Sequence, residues 1–169
     1  MASRASIARH PIHPALVALP IGTLIFAFIC DVAYHAGAHA PFWKDAAFYS
    51  MAVGVVSALV AAVPGFIDYA TIVDRKVRSI ATTHMALNLT VVVLYAVSLW
   101  MRTQRAPEDT TPVWVSVAGL VLLSVSGFLG GELVFRHGMA VGPERTATTI
   151  DVTPGTARPA RPDDVRRPA

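Results

Sequence analysis

Six side chains that ligate metals or move protons lie inside or beside long apolar segments of the chain. They are His10, His13, Asp68, His84, Glu132 and His137. Ionisable groups are costly inside a bilayer, so each one invites a functional hypothesis where its neighbours are apolar. Imidazole would ligate haem iron or another metal, and carboxylates would carry protons or bind a cation. These roles require elements that bring the six together.

Two of these histidines belong to the segment His10-Pro11-Ile12-His13-Pro14. Each precedes a proline, which favours extended or polyproline backbone at both positions. Three residues make one polyproline turn of roughly 9 Å, so one metal centre would contact at most one of the two rings. His13 is the better candidate because it is nearer the following helix, where Pro14 suits the first turn. The structural alternative is a rigid helix entry with two interfacial histidines.

His84 and Asn88 are four residues apart in an otherwise apolar stretch. On a helix the two would share a face. One interpretation is a neutral His84 that is hydrogen-bonded to Asn88, Asp68 or a backbone carbonyl. The other is an axial haem ligand with His13 or His137 opposite, because helix bundles build such sites from facing helices.

Asp31, His35 and His39 are also spaced four residues apart. A helix that continued through them would put all three on one face, as a divalent-metal site. Gly37 and the approaching Pro41 act against that continuation.

The last apolar segment carries a carboxylate and a pair of glycines. Glu132 would pair with Arg136 one helical turn later, or would take up a proton and orient a histidine; the ion pair is favoured. Gly127 and Gly131 form a GxxxG face, which allows close helix contact within the bundle or between two copies.

The elements that must position these residues are four apolar segments, each long enough to cross about 30 Å of hydrocarbon. Apolar residues make up 54% of the chain and charged residues only 15%. Short loops force antiparallel neighbours, so the sequence predicts an all-α, up-down four-helix bundle in a membrane. The predicted spans are residues 15–34, 46–67, 80–101 and 113–135.

One domain, residues 1–141, contains the four spans. Prolines then alternate with arginine, threonine and aspartate, so residues 142–169 are predicted to be a disordered cytoplasmic tail. No internal repeat in the sequence is strong enough to use. The single cysteine, Cys30, lies in an apolar run, and one cysteine forms no disulfide within the chain.

Lysine and arginine are unevenly distributed among the loops. Of the 14, eleven lie at the two termini or between the second and third spans, and the other two loops hold only Lys44, Arg102 and Arg105. The positive-inside rule therefore places both termini in the cytoplasm, with Trp43, Trp100 and Trp114 at the outer interface. The net charge of +3 comes with no nucleic-acid-binding motif, which excludes that partner.

The motifs HPxHPxLV, PGxxD, HxxxN and HG occur in this order within residues 10–22, 63–69, 84–88 and 130–141. In them the sequence resembles the bacterial membrane protein family known as domain of unknown function twenty-two thirty-one. The resemblance implies a four-helix protein of the bacterial inner membrane and no established reaction. Related domains stand beside cytochrome-type modules, which implies a redox association. The residues that match the family pattern are His10, His13, Asp31, Asp68, His84, Asn88 and His137.

Three functions fit these observations. The main prediction is an accessory or structural subunit whose His/Asp/Glu cluster locks the bundle and binds a partner. The alternatives are a haem-binding, redox-associated protein holding haem b, and a proton- or cation-linked transporter acting through Asp68, Glu132 and His84. Without a GxSxG, HExxH or phosphate-binding glycine loop, an enzyme is not favoured. Predicted partners are the lipid bilayer and either a second copy, through Gly127 and Gly131, or a membrane redox protein.

Overall fold

The structure, a computed structural model, describes residues 4–8 and 10–139. Two short antiparallel strands come first, β1 Ser6–Ile7 and β2 His10–Pro11. Five α-helices follow: α1 Ile12–Leu16, α2 Ala18–Ala33, α3 Pro41–Ala70, α4 Arg75–Gln104 and α5 Thr111–Gly131. Widened helical turns extend α2 over Tyr34–Ala38 and α5 over Glu132–Arg136. The predicted tail, residues 142–169, lies outside the described residues.

The helices make four spans of membrane-crossing length, which confirms the predicted all-α membrane fold. Each predicted segment lies within an observed span, and the spans cover Ile12–Gly37, Pro41–Ala70, Arg75–Gln104 and Thr111–Arg136. The first span is divided at Val17, between α1 and α2. Pro20, three residues later, has no N–H to donate to the carbonyl of Leu16, so the regular helix is interrupted there.

The outward helix faces are as apolar as the interior, as expected for a surface in contact with lipid. Large apolar side chains such as Val56, Val63, Val121, Phe128 and Phe135 are more than half exposed. The buried centre is small and lies between the spans. It contains Leu24, Ala27, Met51, Val91 and Tyr95.

The spans are arranged as two helical hairpins. Hairpin 1 comprises α1, α2 and α3, and hairpin 2 comprises α4 and α5; within each hairpin the long helices pack closely. Because the helices alternate in direction, His13, Asp68, His84 and Glu132 lie at one end of the bundle, the histidine end. The three tryptophans lie at the opposite, tryptophan end: Trp43, Trp100 and Trp114.

Hairpin 2 is an internal repeat of hairpin 1, a relationship that the sequence analysis did not predict. A constant offset of 71 residues relates α2 to α4, and a second constant offset relates α3 to α5. Buried positions coincide under these offsets, and two glycines in each hairpin contact equivalent side chains. The matched pairs are His13 and His84, Pro20 and Val91, Leu24 and Tyr95, Ala27 and Ser98, Cys30 and Met101, Asp31 and Arg102, Gly54 and Gly119, Ala61 and Ser126, and Gly65 and Gly130.

Candidate functional site

His84 on α4 is held to α5 through Ser126. Its Nδ1 lies 2.8 Å from the backbone carbonyl oxygen of Ser126. Because a carbonyl only accepts, Nδ1 carries the proton and Nε2 is an acceptor. The side-chain amide of Asn88 donates to that Nε2 over 3.1 Å and to the Ser126 hydroxyl over 2.7 Å. This is the neutral, hydrogen-bonded histidine of the structural interpretation, with Ser126 as a partner that the sequence reading did not find.

His13 is held in the same way within hairpin 1. Its Nδ1 lies 2.8 Å from the backbone carbonyl oxygen of Ala61 on α3. The ring packs directly on Gly65, where an added methyl carbon would lie only 2.8 Å from Nδ1. His13 and His84 thus lie at the same end of the bundle, one in each hairpin.

The backbone at the HPIHP segment differs from the sequence expectation. His10 lies in β2 and is extended as expected, whereas His13 lies inside α1, so the expectation of polyproline backbone is wrong there. Pro11 takes the extended conformation that precedes α1. Helical backbone is disfavoured, but not forbidden, at the residue that precedes a proline, here His13. The hydrogen bond from the His13 ring to the Ala61 carbonyl stabilises that conformation.

The other predicted site residues at the histidine end have separate partners. His10 is exposed, and its Nδ1 lies 3.0 Å from the carbonyl oxygen of Ala8. Asp68 accepts a hydrogen bond of 3.2 Å from the buried Ala5 N–H and so holds the N-terminal segment against α3. The six predicted residues thus share one end of the bundle without forming one cluster.

Glu132 and His137 complete this inventory. Glu132 pairs with Arg136 over 3.2 Å, as the sequence favoured. His137 follows that pair, and its buried Nε2 has no hydrogen-bond partner in the part of the chain that the structure describes. Within residues 4–8 and 10–139, no three His, Cys, Asp or Glu side chains come together as a set of metal ligands. The proposed proton relay through Asp68, Glu132 and His84 therefore stays a prediction from sequence.

A buried ion pair joins the two hairpins near the tryptophan end. The Arg102 guanidinium donates to both carboxylate oxygens of Asp31, over 2.8 and 2.6 Å. Their side chains are only 12% and 4% exposed. Ser98 and Ser116 lie beside the guanidinium, at 3.4 and 3.5 Å. The sequence analysis placed Arg102 in a loop, which is wrong: it lies in the last turn of α4, and its side chain is largely buried.

Asp31 is therefore engaged by Arg102, although Asp31 and His35 line the same cavity. The helix does not continue regularly beyond it, because Gly37 has a φ of 113° and His39 a φ of 29°. His35 and His39 are exposed and flank the ring of Tyr34. A cavity of about 240 Å³ opens beside the ion pair. Its charged lining includes Lys44, Asp45, Arg105 and Asp109.

Arg102 ends a polar stripe along the inward face of α4, which includes His84, Asn88, Tyr95 and Ser98. Tyr95 is 1% exposed and packs against Gly119, where an added methyl carbon would lie 2.9 Å from its ring. Its hydroxyl has no hydrogen-bond partner in the part of the chain that the structure describes. In hairpin 1 the equivalent stripe is apolar between its ends, with Val17, Leu24 and Ala27 at the matching positions.

The GxxxG glycines face away from the rest of the bundle. An added methyl carbon at Gly127 would meet nothing within 4 Å, and at Gly131 it would meet only Phe135 of the same span, at 3.9 Å. The close helix contact that the motif allows is therefore not made within the described part of the chain.

The apolar spans and the lipid-like outer surface define a polytopic membrane protein built from two helical hairpins. The chain belongs to the family described as "Predicted membrane protein (DUF2231)", whose model matches residues 9–143. That match covers both hairpins, the histidines and the Asp31–Arg102 pair. No curated protein and no solved structure matches the chain.

Proposed function

We propose that this protein is an accessory subunit of the bacterial inner membrane, a rigid two-hairpin module that binds a membrane partner. The observation that carries the proposal is the use of its costly polar groups. His84, Asn88 and Ser126 bond to one another, and Asp31 bonds to Arg102. Internal bonds of this kind stabilise a bundle inside lipid, where helix association gains little from apolar contact alone.

The partner surface that we propose is the outward face of α5 around Gly127. Small residues let the backbones of two helices approach closely and gain van der Waals contact. Gly127 is exposed and has open space at its Cα. The proposed partner is a helix of another membrane protein, and the alternative occupant is a second copy of this chain.

Photo-crosslinking in membranes tests this proposal, with the reactive group placed on the α5 face next to Gly127. We expect Gly127→Leu to abolish a specific adduct, because the larger side chain keeps the partner helix away. Gly22→Leu is the matched control, since Gly22 is an exposed helical glycine of α2 with nothing within 4 Å. Adduct mass distinguishes a different partner from a second copy. Equal loss in both variants, or no specific adduct, would refute the proposal.

We also propose that the histidine end faces the cytoplasm. The distribution of lysine and arginine supports this orientation. Single cysteines introduced at His10 and at Asp109, in a Cys30→Ala background, test it by labelling of intact cells. We expect an impermeant maleimide to label position 109 and spare position 10, and the reverse pattern contradicts the proposed orientation.

A further inference from the structure

The cavity beside the buried ion pair lies at the tryptophan end and is lined by residues from all four spans and from the loop between α4 and α5. Its volume is about 240 Å³. Two of its lining residues, Lys44 and Val113, are next to Trp43 and Trp114 in the sequence. Because tryptophans of membrane proteins concentrate at the depth of the lipid headgroups, we expect the cavity to open at that depth.

Four of the charged side chains in the lining form two ion pairs. The Arg102 guanidinium donates to both carboxylate oxygens of Asp31, over 2.8 and 2.6 Å, and Arg105 donates to Asp109 over 2.7 Å. Each pair is neutral in sum, so together they favour neither an anion nor a cation. Arg102 keeps one donor for a ligand, because its Nη1 carries two N–H groups and makes a single hydrogen bond to a described residue.

Lys44 and Asp45 are the two other lysine, arginine or acidic side chains in the lining, and they carry opposite charges. Within residues 4–8 and 10–139, neither forms an ion pair. The Lys44 ammonium lies 5.4 Å from the centroid of the Tyr34 ring, a cation–π contact that leaves its N–H donors available. Asp45 is exposed. The lining therefore offers one cation and one anion to a ligand and has no net charge.

We propose that this cavity binds the zwitterionic headgroup of a membrane lipid, which combines one phosphate with one ammonium. The phosphate binds the Lys44 ammonium and the remaining Nη1 donor of Arg102, and the ammonium of the lipid binds the Asp45 carboxylate. A lining with balanced charge favours a zwitterion, whereas basic pockets select anionic lipids. Phe48 and Val113 give the cavity an apolar part, which suits the beginning of the acyl chains.

Native mass spectrometry of the full-length protein in detergent tests this site. The probes are phosphatidylethanolamine, which carries a phosphate and an ammonium, and phosphatidylglycerol with the same acyl chains, which carries the phosphate alone. We expect phosphatidylethanolamine to bind at one equivalent per chain and about fivefold more tightly, close to the largest contribution of one exposed ion pair. Equal binding of the two lipids, or binding that does not saturate at one equivalent, overturns the proposal.

Asp45→Asn tests the charge balance, because it leaves the lining with an excess of positive charge. We expect this variant to lose the preference for phosphatidylethanolamine and to bind phosphatidylglycerol at least as tightly. Lys44→Gln should weaken both lipids about fivefold, since both carry the phosphate. Misfolding would weaken all binding without moving the preference from one lipid to the other. An unchanged preference in Asp45→Asn refutes the assignment.

Two exposed residues outside the lining supply matched controls. Glu108→Gln removes a carboxylate at the same end of the bundle, and Lys76→Gln removes an ammonium at the histidine end. Both variants should bind the two lipids as wild type does. A change in Glu108→Gln as large as that in Asp45→Asn would show that the preference reflects the charge of this end in general, and the cavity would not be the site.

The free headgroup, glycerophosphoethanolamine, is the last probe and distinguishes a lipid from a soluble ligand. Binding of the lipid alone supports the headgroup site at the membrane surface. Binding of the free headgroup as tightly as the lipid keeps the zwitterion site and assigns it to a soluble ligand. The inference goes beyond the accessory role, and no residue of the cavity lies on the α5 face around Gly127, so failure of one proposal leaves the other intact.

Discussion

Single side chains at the histidine end follow rules that sequence spacing partly captures. The contacts from His84 to Asn88 and from Glu132 to Arg136 were predictable, because residues four apart meet on a helix. The bonds from His84 to Ser126 and from His13 to Ala61 were not. They join different helices, and their acceptors are backbone carbonyls. Because every residue has a backbone carbonyl, the residue type gives no signal that such a bond will form.

For single side chains, we predict that Gly65→Ala destabilises the protein. Alanine in place of an exposed helical glycine is normally stabilising by roughly 0.5–1 kcal/mol. At Gly65 the new methyl carbon would lie 2.8 Å from a ring atom of His13, which is anchored to Ala61. We therefore expect a net loss of roughly 1–3 kcal/mol, typical of over-packing. Gly22→Ala, where the space is open, is neutral or stabilising.

Unfolding in detergent by titration with sodium dodecyl sulfate measures both variants. The two changes should shift the midpoint in opposite directions. A Gly65→Ala protein as stable as Gly22→Ala would mean that the His13 ring moves away at no cost. That result would contradict the prediction that close packing of His13 on Gly65 contributes to stability.

The loops that precede α4 and α5 are held by aspartate side chains, so the stability of these loops should depend on pH. Asp74 caps α4 by accepting from the backbone N–H groups of Lys76 and Val77, and these bonds lower its pKa. Before α5, hydrogen bonds from Arg105 and Thr111 lower the pKa of Asp109 to about 2, from its ordinary value of 3.8. Both groups lie outside the membrane spans.

Acid should therefore weaken the α4–α5 loop. A carboxylate with a lowered folded-state pKa stabilises fully above its unfolded pKa, and the stabilisation disappears as pH falls through the folded pKa. For Asp109 that window runs from about pH 4 to about pH 2. We expect wild type to melt above Asp109→Asn at pH 6, with the gap closing toward pH 2. The gap is small, because solvent reaches both Asp109 and its partner Arg105 and screens their interaction. A gap that is constant with pH contradicts the assignment.

At the scale of the whole molecule, the sequence predicted four spans but not their duplication. In a soluble bundle, apolar positions would mark the core and reveal the shared register of the two hairpins. In lipid the outward face is apolar as well, so hydropathy does not distinguish buried from exposed positions. The repeat is recognised only once the buried positions are known. For example, Leu24 and Tyr95 are both buried, and they pack against Gly54 and Gly119, which occupy equivalent positions. Arg102 was misassigned for the same reason, since a span boundary drawn by hydropathy ends at the first charge.

Because the two hairpins are repeats of each other, the Asp31–Arg102 pair favours association of hairpin 1 with hairpin 2 over association of two copies of the same hairpin. The two residues occupy equivalent positions and meet between the hairpins, so two copies of hairpin 1 packed in the same way would set Asp31 against Asp31. Two copies of hairpin 2 would likewise set arginine against arginine. Buried like charges oppose association strongly, which gives specificity by penalising the wrong partner.

A chain cut between Ala70 and Arg75, with both halves coexpressed and differently tagged, should therefore reassemble as a mixed pair. Arg102→Asp in hairpin 2 should abolish co-purification, because removing one partner of a buried pair costs roughly 3–5 kcal/mol and here adds repulsion. Adding Asp31→Arg in hairpin 1 restores an opposite pair at the same place and should recover most of the complex. Arg136→Asp is the control, since its partner Glu132 is in the same hairpin and its side chain is exposed. Recovery by charge reversal would separate pairing chemistry from general damage to α4. Failure of the double variant, with each half still inserted, would show that the contact depends on the guanidinium shape and Ser98 rather than on charge.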